Sequence, residues 1–399
     1  MKRLFLTAFL FFCASVCFVS CKKKILQNST VKIGLLHSFS GAMAESEMPV
    51  YDAERMAIEE INAKGGVLGK KIEFVQEDGE SNAEVFATKA QKLLAEDKCS
   101  FIFGCWTSAA RKALLPVLED DDLYGLLYYP LQYEGMEASS NIVYLGAAPN
   151  QQVVPAFEYC VENFGKKVFL VGSDYVFPRT ANKIIKAQLA SLQGECLGEY
   201  YVALGSNDFS DIVSKIKEVA PDFIVNTLNG SSNKAFFEEL KKQDLRAEDV
   251  PVISFSISES DVASIGPSLL KNHLVTWSYF QTIDSEENKS FVDRYKKKYG
   301  SDRTVGEPVA NGYTAVYLWV LACEKAGSFD VEDVRMASKG LSFVAPEGKV
   351  TIDGENQHLF KQVRIGRINE NGLVDEIWNA GDLVKPDPYL STYAWAKGL

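Results

Sequence analysis

The chain has 399 residues, 47% hydrophobic and 24% charged, enough length and apolar content for two lobes with their own cores, and wholesale disorder is excluded. With 42 Lys and Arg against 53 Asp and Glu the formal charge is −11, so the chain repels phosphate backbones and nucleic acid is not an expected partner. Three scattered histidines (His37, His273, His358) argue against a His-rich metal site, and eight cysteines are too few for a disulfide scaffold.

The amino terminus, MKRLFLTAFLFFCASVCFVSCKKK, joins Lys2 and Arg3 to an apolar run that ends at Val19. At about 16 residues that run falls short of the ~20 a spanning helix needs. With Ser20 behind it, the segment 1–20 reads as a secretion signal. Phe18-Val19-Ser20-Cys21 resembles a bacterial lipobox, which implies that Cys21 is lipidated and tethers the protein to a membrane surface. The later cysteines (Cys99, Cys105, Cys160, Cys196, Cys323) form no CxxC pair. Cys99, Cys105 and Cys160 lie in or beside apolar runs and read as buried small hydrophobes, while one disulfide of unassigned pairing stays open.

From Val31 onward short apolar runs alternate with amphipathic stretches. The pattern predicts a strand at 31–36, a helix at 51–64, a strand at 71–75, a helix at 84–96, a strand at 100–103, a helix at 108–118 and a strand at 126–129. The rhythm resumes with helix 155–164, strand 168–171, helix 179–192, strand 200–203, helix 208–219, strand 223–225, helix 233–241 and strand 252–255. Beyond Tyr279 come helices at 287–299 and 312–326. An alternating, antiparallel tail follows at 349–378, with hairpin turns at Asp353-Gly354 and Asn371-Gly372. βα alternation is the mark of α/β architecture with doubly wound parallel sheets. Two lobes suit it better than one sheet of ten or more strands. No long Gly/Ser linker occurs, so the lobes should be joined by short crossings, which make a hinge and therefore a cleft.

Catalytic signatures are missing. There is no GxSxG elbow, GxxxxGK[ST] loop, HExxH or GxGxxG, and no cofactor motif. His37 and Ser38 are neighbours on a strand and point to opposite faces. A binding protein is expected rather than an enzyme. What recurs is a polar or aromatic cluster at the carboxyl end of successive strands: Ser38-Phe39, then Trp106-Thr107-Ser108 running into a helix, then Tyr129 to Glu134. In the second half Tyr175 and Asn229 occupy matching places. Ligands of open α/β sheets sit at the carboxyl ends of strands.

These stretches carry a family resemblance. FGCWTSAARK at 103–112, YPLQYEG at 129–135, GAAPNQQ at 146–152, GSDYVFPRTAN at 172–182, NTLNG at 226–230, PEGKVTID at 346–353 and PDPY at 386–389 resemble the substrate-binding proteins of bacterial ABC transporters for urea and short-chain amides. The resemblance runs from Val31 to Tyr389 and is closest to the urea-binding members. It implies the type I periplasmic-binding-protein fold, with two lobes joined by a three-crossing hinge: an N-terminal lobe of 31–147 plus 282–345 and a C-terminal lobe of 148–281 plus 346–399. It also implies ABC permease subunits as partners and a small neutral ligand. Related branched-chain amino-acid binders carry an acidic residue for the ligand ammonium where Asn229 stands here. Urea has one carbonyl and four N–H groups, so its site must both donate and accept. Ser108 is expected to donate to the carbonyl, through its hydroxyl and helix-start N–H. Tyr129, Tyr175 and Asn229 are expected to meet the N–H groups, with Gln132 and Ser256 nearby and Trp106 and Phe39 as flat walls. Asp174 and Arg179 are expected to be structural. Short amides, branched-chain amino acids and an amide-sensing regulator are the alternatives, and an amide hydrolase is the enzymatic one.

Overall fold

The structure, a computed structural model, describes residues 30–399. The secretion signal at 1–20 and Cys21 lie outside the described residues. The chain opens with β1 (Thr30–His37), α1 (Ala44–Ala63), β2 (Lys71–Asp78), α2 (Ala83–Ala95), β3 (Phe101–Gly104), α3 (Ser108–Leu118), β4 (Leu126–Tyr129) and β5 (Ile142–Tyr144). Their sheet is wholly parallel, in the order β2-β1-β3-β4-β5. Alternation along β1 sorts its side chains by face. Ile33 and Leu35 belong to the apolar cluster of α1, whereas Leu36 joins Leu93 of α2 and Leu114 of α3. A Cβ on Gly34 would meet Leu93 Cδ1 at 2.8 Å, so α2 lies directly on the strand.

After β5 the chain crosses to α4 (Val153–Phe164), β6 (Lys167–Ser173), α5 (Val176–Ser191), β7 (Glu195–Val202), α6 (Ser210–Val219) and β8 (Phe223–Thr227). Then come α7 (Ser232–Lys242), β9 (Val252–Ser254), α8 (Glu259–Ile265), α9 (Pro267–Leu270) and β10 (Leu274–Trp277). A second crossing returns it to α10 (Glu286–Tyr299), α11 (Glu307–Ala326), α12 (Val331–Ser338) and the small antiparallel sheet β11 (Ser342–Ala345), β12 (Gly348–Ile352) and β13 (Leu359–Phe360). A third leads to β14 (Arg364–Ile368) and β15 (Val374–Asn379). The second large sheet has the order β15-β14-β10-β9-β8-β6-β7, with β14 and β15 antiparallel.

The predicted tail is therefore divided. Val350, Ile352 and Leu359 pack with Trp319 of α11 and the first sheet, whereas Ile365 packs with α4 and α5. The change of lobe expected after residue 345 falls instead between Phe360 and Arg364. α1 starts seven residues earlier than its apolar spacing predicts and carries Pro49 inside it. Five cysteines (Cys99, Cys105, Cys160, Cys196, Cys323) are free, and of these Cys196 alone is exposed.

The hinge is tied by one buried lysine. On the third crossing, Lys361 Nζ donates to Leu145 O at 2.8 Å, on the first, and to Asn311 Oδ1 at 3.0 Å, on α11. Its charge meets Glu307 at 3.2 Å and Glu347 at 3.1 Å. Glu307 in turn accepts from the Ser278 N–H on the second crossing. Burial would push the ammonium pKa down, but the two carboxylates outweigh it and hold Lys361 protonated.

Candidate ligand-binding cleft

The first-lobe wall is set by the turn from β3 to α3. Gly104 (φ +114) and Cys105 (φ +65) both lie in the left-handed region, which turns the chain sharply and presents Trp106-Thr107-Ser108 at the helix start. Thr107 caps α3, its Oγ1 accepting from Ala110 N at 3.1 Å. Trp106, Ser108, Tyr129 and Gln132 are all buried. Ser108 does not hold its hydroxyl proton free for a carbonyl: it donates to Glu134 Oε2 at 2.6 Å. Glu134 Oε1 accepts from Arg111 Nη2 at 2.7 Å, and Arg111 Nε reaches Glu137 at 2.6 Å. Arg111 also lies 4.9 Å above the Tyr129 ring and 5.0 Å above Tyr133. Burial alone would lower its pKa, but Glu134 raises it, so the guanidinium stays charged. The Tyr129 hydroxyl donates to Trp106 O at 2.6 Å. Arg111 was not expected as a cleft residue, and Glu134 was expected only as the end of the polar cluster after β4. Their signal was a pair of charges within apolar stretches, at the fourth helical position and just after Tyr133.

The second lobe faces this wall with Tyr175, Asn229 and Ser256. Asn229 is held by its N–H to Ser173 Oγ (3.1 Å) and its Nδ2 to Thr227 O (3.2 Å), leaving Oδ1 toward Trp106 Nε1 at 3.4 Å. Gln132 Nε2 spans the lobes to Ser256 Oγ (3.1 Å) and Phe255 O (3.3 Å). Burial raises the Tyr175 hydroxyl pKa, with Glu134 adding to the rise and Arg111 opposing it, and α5, which Tyr175 precedes, packs against α3. At the rim Ser46 of α1 donates to Asp261 of α8 at 2.7 Å. Gly230 (φ +61) there lets the backbones meet, since a Cβ would fall 2.5 Å from Ala42 O. Ser46, Gly230 and Asp261 also line a cavity of about 150 Å³ between the lobes. The Phe39 ring rests on Tyr51 at 4.9 Å, and the Ser38 hydroxyl accepts from Ser81 N at 3.0 Å. Asp174 and Arg179 pair within one lobe at 2.6 Å.

Residues 31–394 match a family model described as the periplasmic binding protein domain. The chain belongs to that family. Membership makes it a solute-binding protein rather than an enzyme, and among the described residues no helix is long and apolar enough to cross a membrane. Among curated relatives, the Leu/Ile/Val-binding protein homolog 6 of Brucella melitensis is 23% identical over 85% of this chain and 87% of its own length. A solute-binding protein of an ABC transporter from Rhodopseudomonas palustris BisB5, solved with 3,4-dihydroxybenzoic acid, superposes with a TM-score of 0.80 at 23% identity, over 90% of this chain and 99% of its own. A leucine-binding protein from Thermotoga maritima MSB8 gives 0.78 at 22% identity, over 88% and 98%.

One buried cluster braces this periplasmic binding protein beneath the rim. His37 Nε2 lies 2.8 Å from Glu54, and Nδ1 lies 3.7 Å from Glu47, whose carboxylate also accepts from Ser38 N. Burial would lower the imidazole pKa, yet Glu54 and Glu47 outweigh it and raise it to about 9 from 6.5. A raised folded pKa means a contribution to stability that is complete below pH 6.5 and lost as pH rises through about 9. Melting midpoints of the native protein and His37→Gln should therefore differ most near pH 6 and converge by about pH 10. Parallel curves across that range would show that His37 carries no such charge.

Proposed function

We propose that the chain is the extracytoplasmic receptor of an ABC importer, closing on urea between its lobes and handing it to the permease subunits. A secretion signal at 1–20 would export it and, once that is removed, a lipid on Cys21 would hold it at the membrane surface, with lobes of 31–147 plus 282–360 and 148–281 plus 361–399. The observation that carries the reading is the pair of direct bridges, Trp106 to Asn229 and Gln132 to Ser256. Lobes this close suit a guest of a few heavy atoms. The neutral Asn229, where an acidic side chain would serve an ammonium group, suits an uncharged one. Tyr129, Tyr175, Gln132 and Ser108 supply polar partners, and each buried polar atom left unmatched costs about 1–3 kcal/mol, which rejects near isosteres.

The names of the relatives favour a second reading, a branched-chain amino acid in the same cleft. A short amide is the variant nearest to urea, and Leu131 beside the Tyr129-Pro130 pair, where the family has a hydroxyl, leaves room for it. Titration calorimetry with urea, acetamide, formamide and leucine separates them. Urea should give saturable heat and leucine none, and leucine binding without urea heat overturns the proposal. Mass spectrometry of the native protein, before and after denaturation, should show the acyl group on Cys21 and any retained guest.

A further inference from the structure

A hydroxyl has one proton, and the partner that takes it decides what the oxygen can still do. Ser108 spends its proton on Glu134 at 2.6 Å, and a carboxylate bound to the buried Arg111 has none to return; one Ser108 lone pair accepts from Arg111 Nη1 at 3.4 Å, which leaves the other. Tyr129 spends its proton on the Trp106 carbonyl at 2.6 Å, which can only accept. Both oxygens are left with lone pairs alone. Gln132 Oε1 is buried without a partner while the amide nitrogen of the same side chain bridges to the second lobe, which adds a third acceptor.

We propose that Glu134 sets the polarity of the cleft: by taking the Ser108 proton it makes the first-lobe wall an acceptor surface, which admits ligands bearing N–H groups and shuts out small carboxylates. This rests on the cleft being the ligand site, and it narrows the guest from any small neutral solute to a primary amide or a urea. It also reverses the direction of the Ser108 bond, which takes an N–H from the ligand instead of giving a proton to its carbonyl. A carboxylate offers only acceptors, so against this wall it would strand at least one buried lone pair. Glu134 is a positioning residue here, acting through Ser108.

Acetamide and acetate are the probes, equal in shape and opposite in hydrogen-bond sense. Calorimetry on the full protein at neutral pH should show acetamide binding about 100-fold or more above acetate. In Glu134→Gln the amide can give Ser108 a proton as readily as take one, and Arg111 keeps Glu137 as partner. The acetamide-to-acetate ratio should then fall below about tenfold, while Glu134→Asp keeps it. Acetate within about threefold of acetamide on the native protein, or a folded Glu134→Gln with an unchanged ratio, overturns the inference. If Glu134→Gln fails to fold, Ser108→Ala decides: it should cost acetamide about tenfold without helping acetate, and unchanged acetamide binding overturns it. Absent urea heat with the acetamide preference intact overturns the urea reading alone, whereas no heat from acetamide, acetate or urea overturns both.

Discussion

Lys361→Ala should lower the stability of the folded chain by about 3–5 kcal/mol, because it strands two buried carboxylates. Glu307 and Glu347 lie 3.2 and 3.1 Å from the ammonium, both out of solvent. The lysine's hydrogen bonds to Leu145 O and Asn311 are lost as well. Lys361 sits where the three crossings converge, so the damage should extend beyond the loss of one ion pair. Guanidinium unfolding of the native and variant proteins, with lobe motion followed by small-angle scattering, measures both effects. Adding Glu347→Gln to the variant should return part of the loss, since one unpaired charge is then gone. A midpoint within error of the native one would show that the cluster holds nothing together.

Gly104→Ala should strike folding and binding together. The new Cβ would lie 2.3 Å from Leu36 O and 2.7 Å from His37 Nε2, with φ at +114. Backbone strain of this kind costs about 1–3 kcal/mol, and the clash with a strand carbonyl adds to it. The same turn aims Trp106 and Ser108, so the residual folded protein should bind its ligand about tenfold or more weakly, a change of roughly 1.4 kcal/mol. Calorimetry alongside thermal melting tests this. Unaltered affinity in a destabilised variant would separate the turn from the cleft.

The alternation of apolar runs and amphipathic stretches foretold most of the parallel strands and their helices, because the rule is local: buried strands and one-sided helices write their periods into neighbouring residues. Elements without such a period were missed. β5 is three residues long and β10 four, α8 and α9 have only seven and four residues, and the first turns of α1 precede Pro49 and hold polar Glu45, Ser46 and Glu47. The tail was read correctly as antiparallel, but which sheet each strand joins depends on the packing of Val350 against α11 and Ile365 against α4, which no local pattern encodes. In the cleft, residue types were legible at the strand ends and hydrogen-bond directions were not. Ser108 and Glu134 are 26 residues apart, and only the folded loop after β4 shows that one consumes the other's proton.

The Ser46–Asp261 bond needs no guest, and neither does the contact of Trp106 with Asn229. Such bonds lend the shut conformation a free energy of its own, so some fraction of empty molecules will mimic loaded ones. A transporter that reads only shape would then be engaged without cargo, and weakening Ser46 would sharpen that distinction while lowering apparent affinity. The rim thus sets a compromise between holding tightly and signalling truthfully.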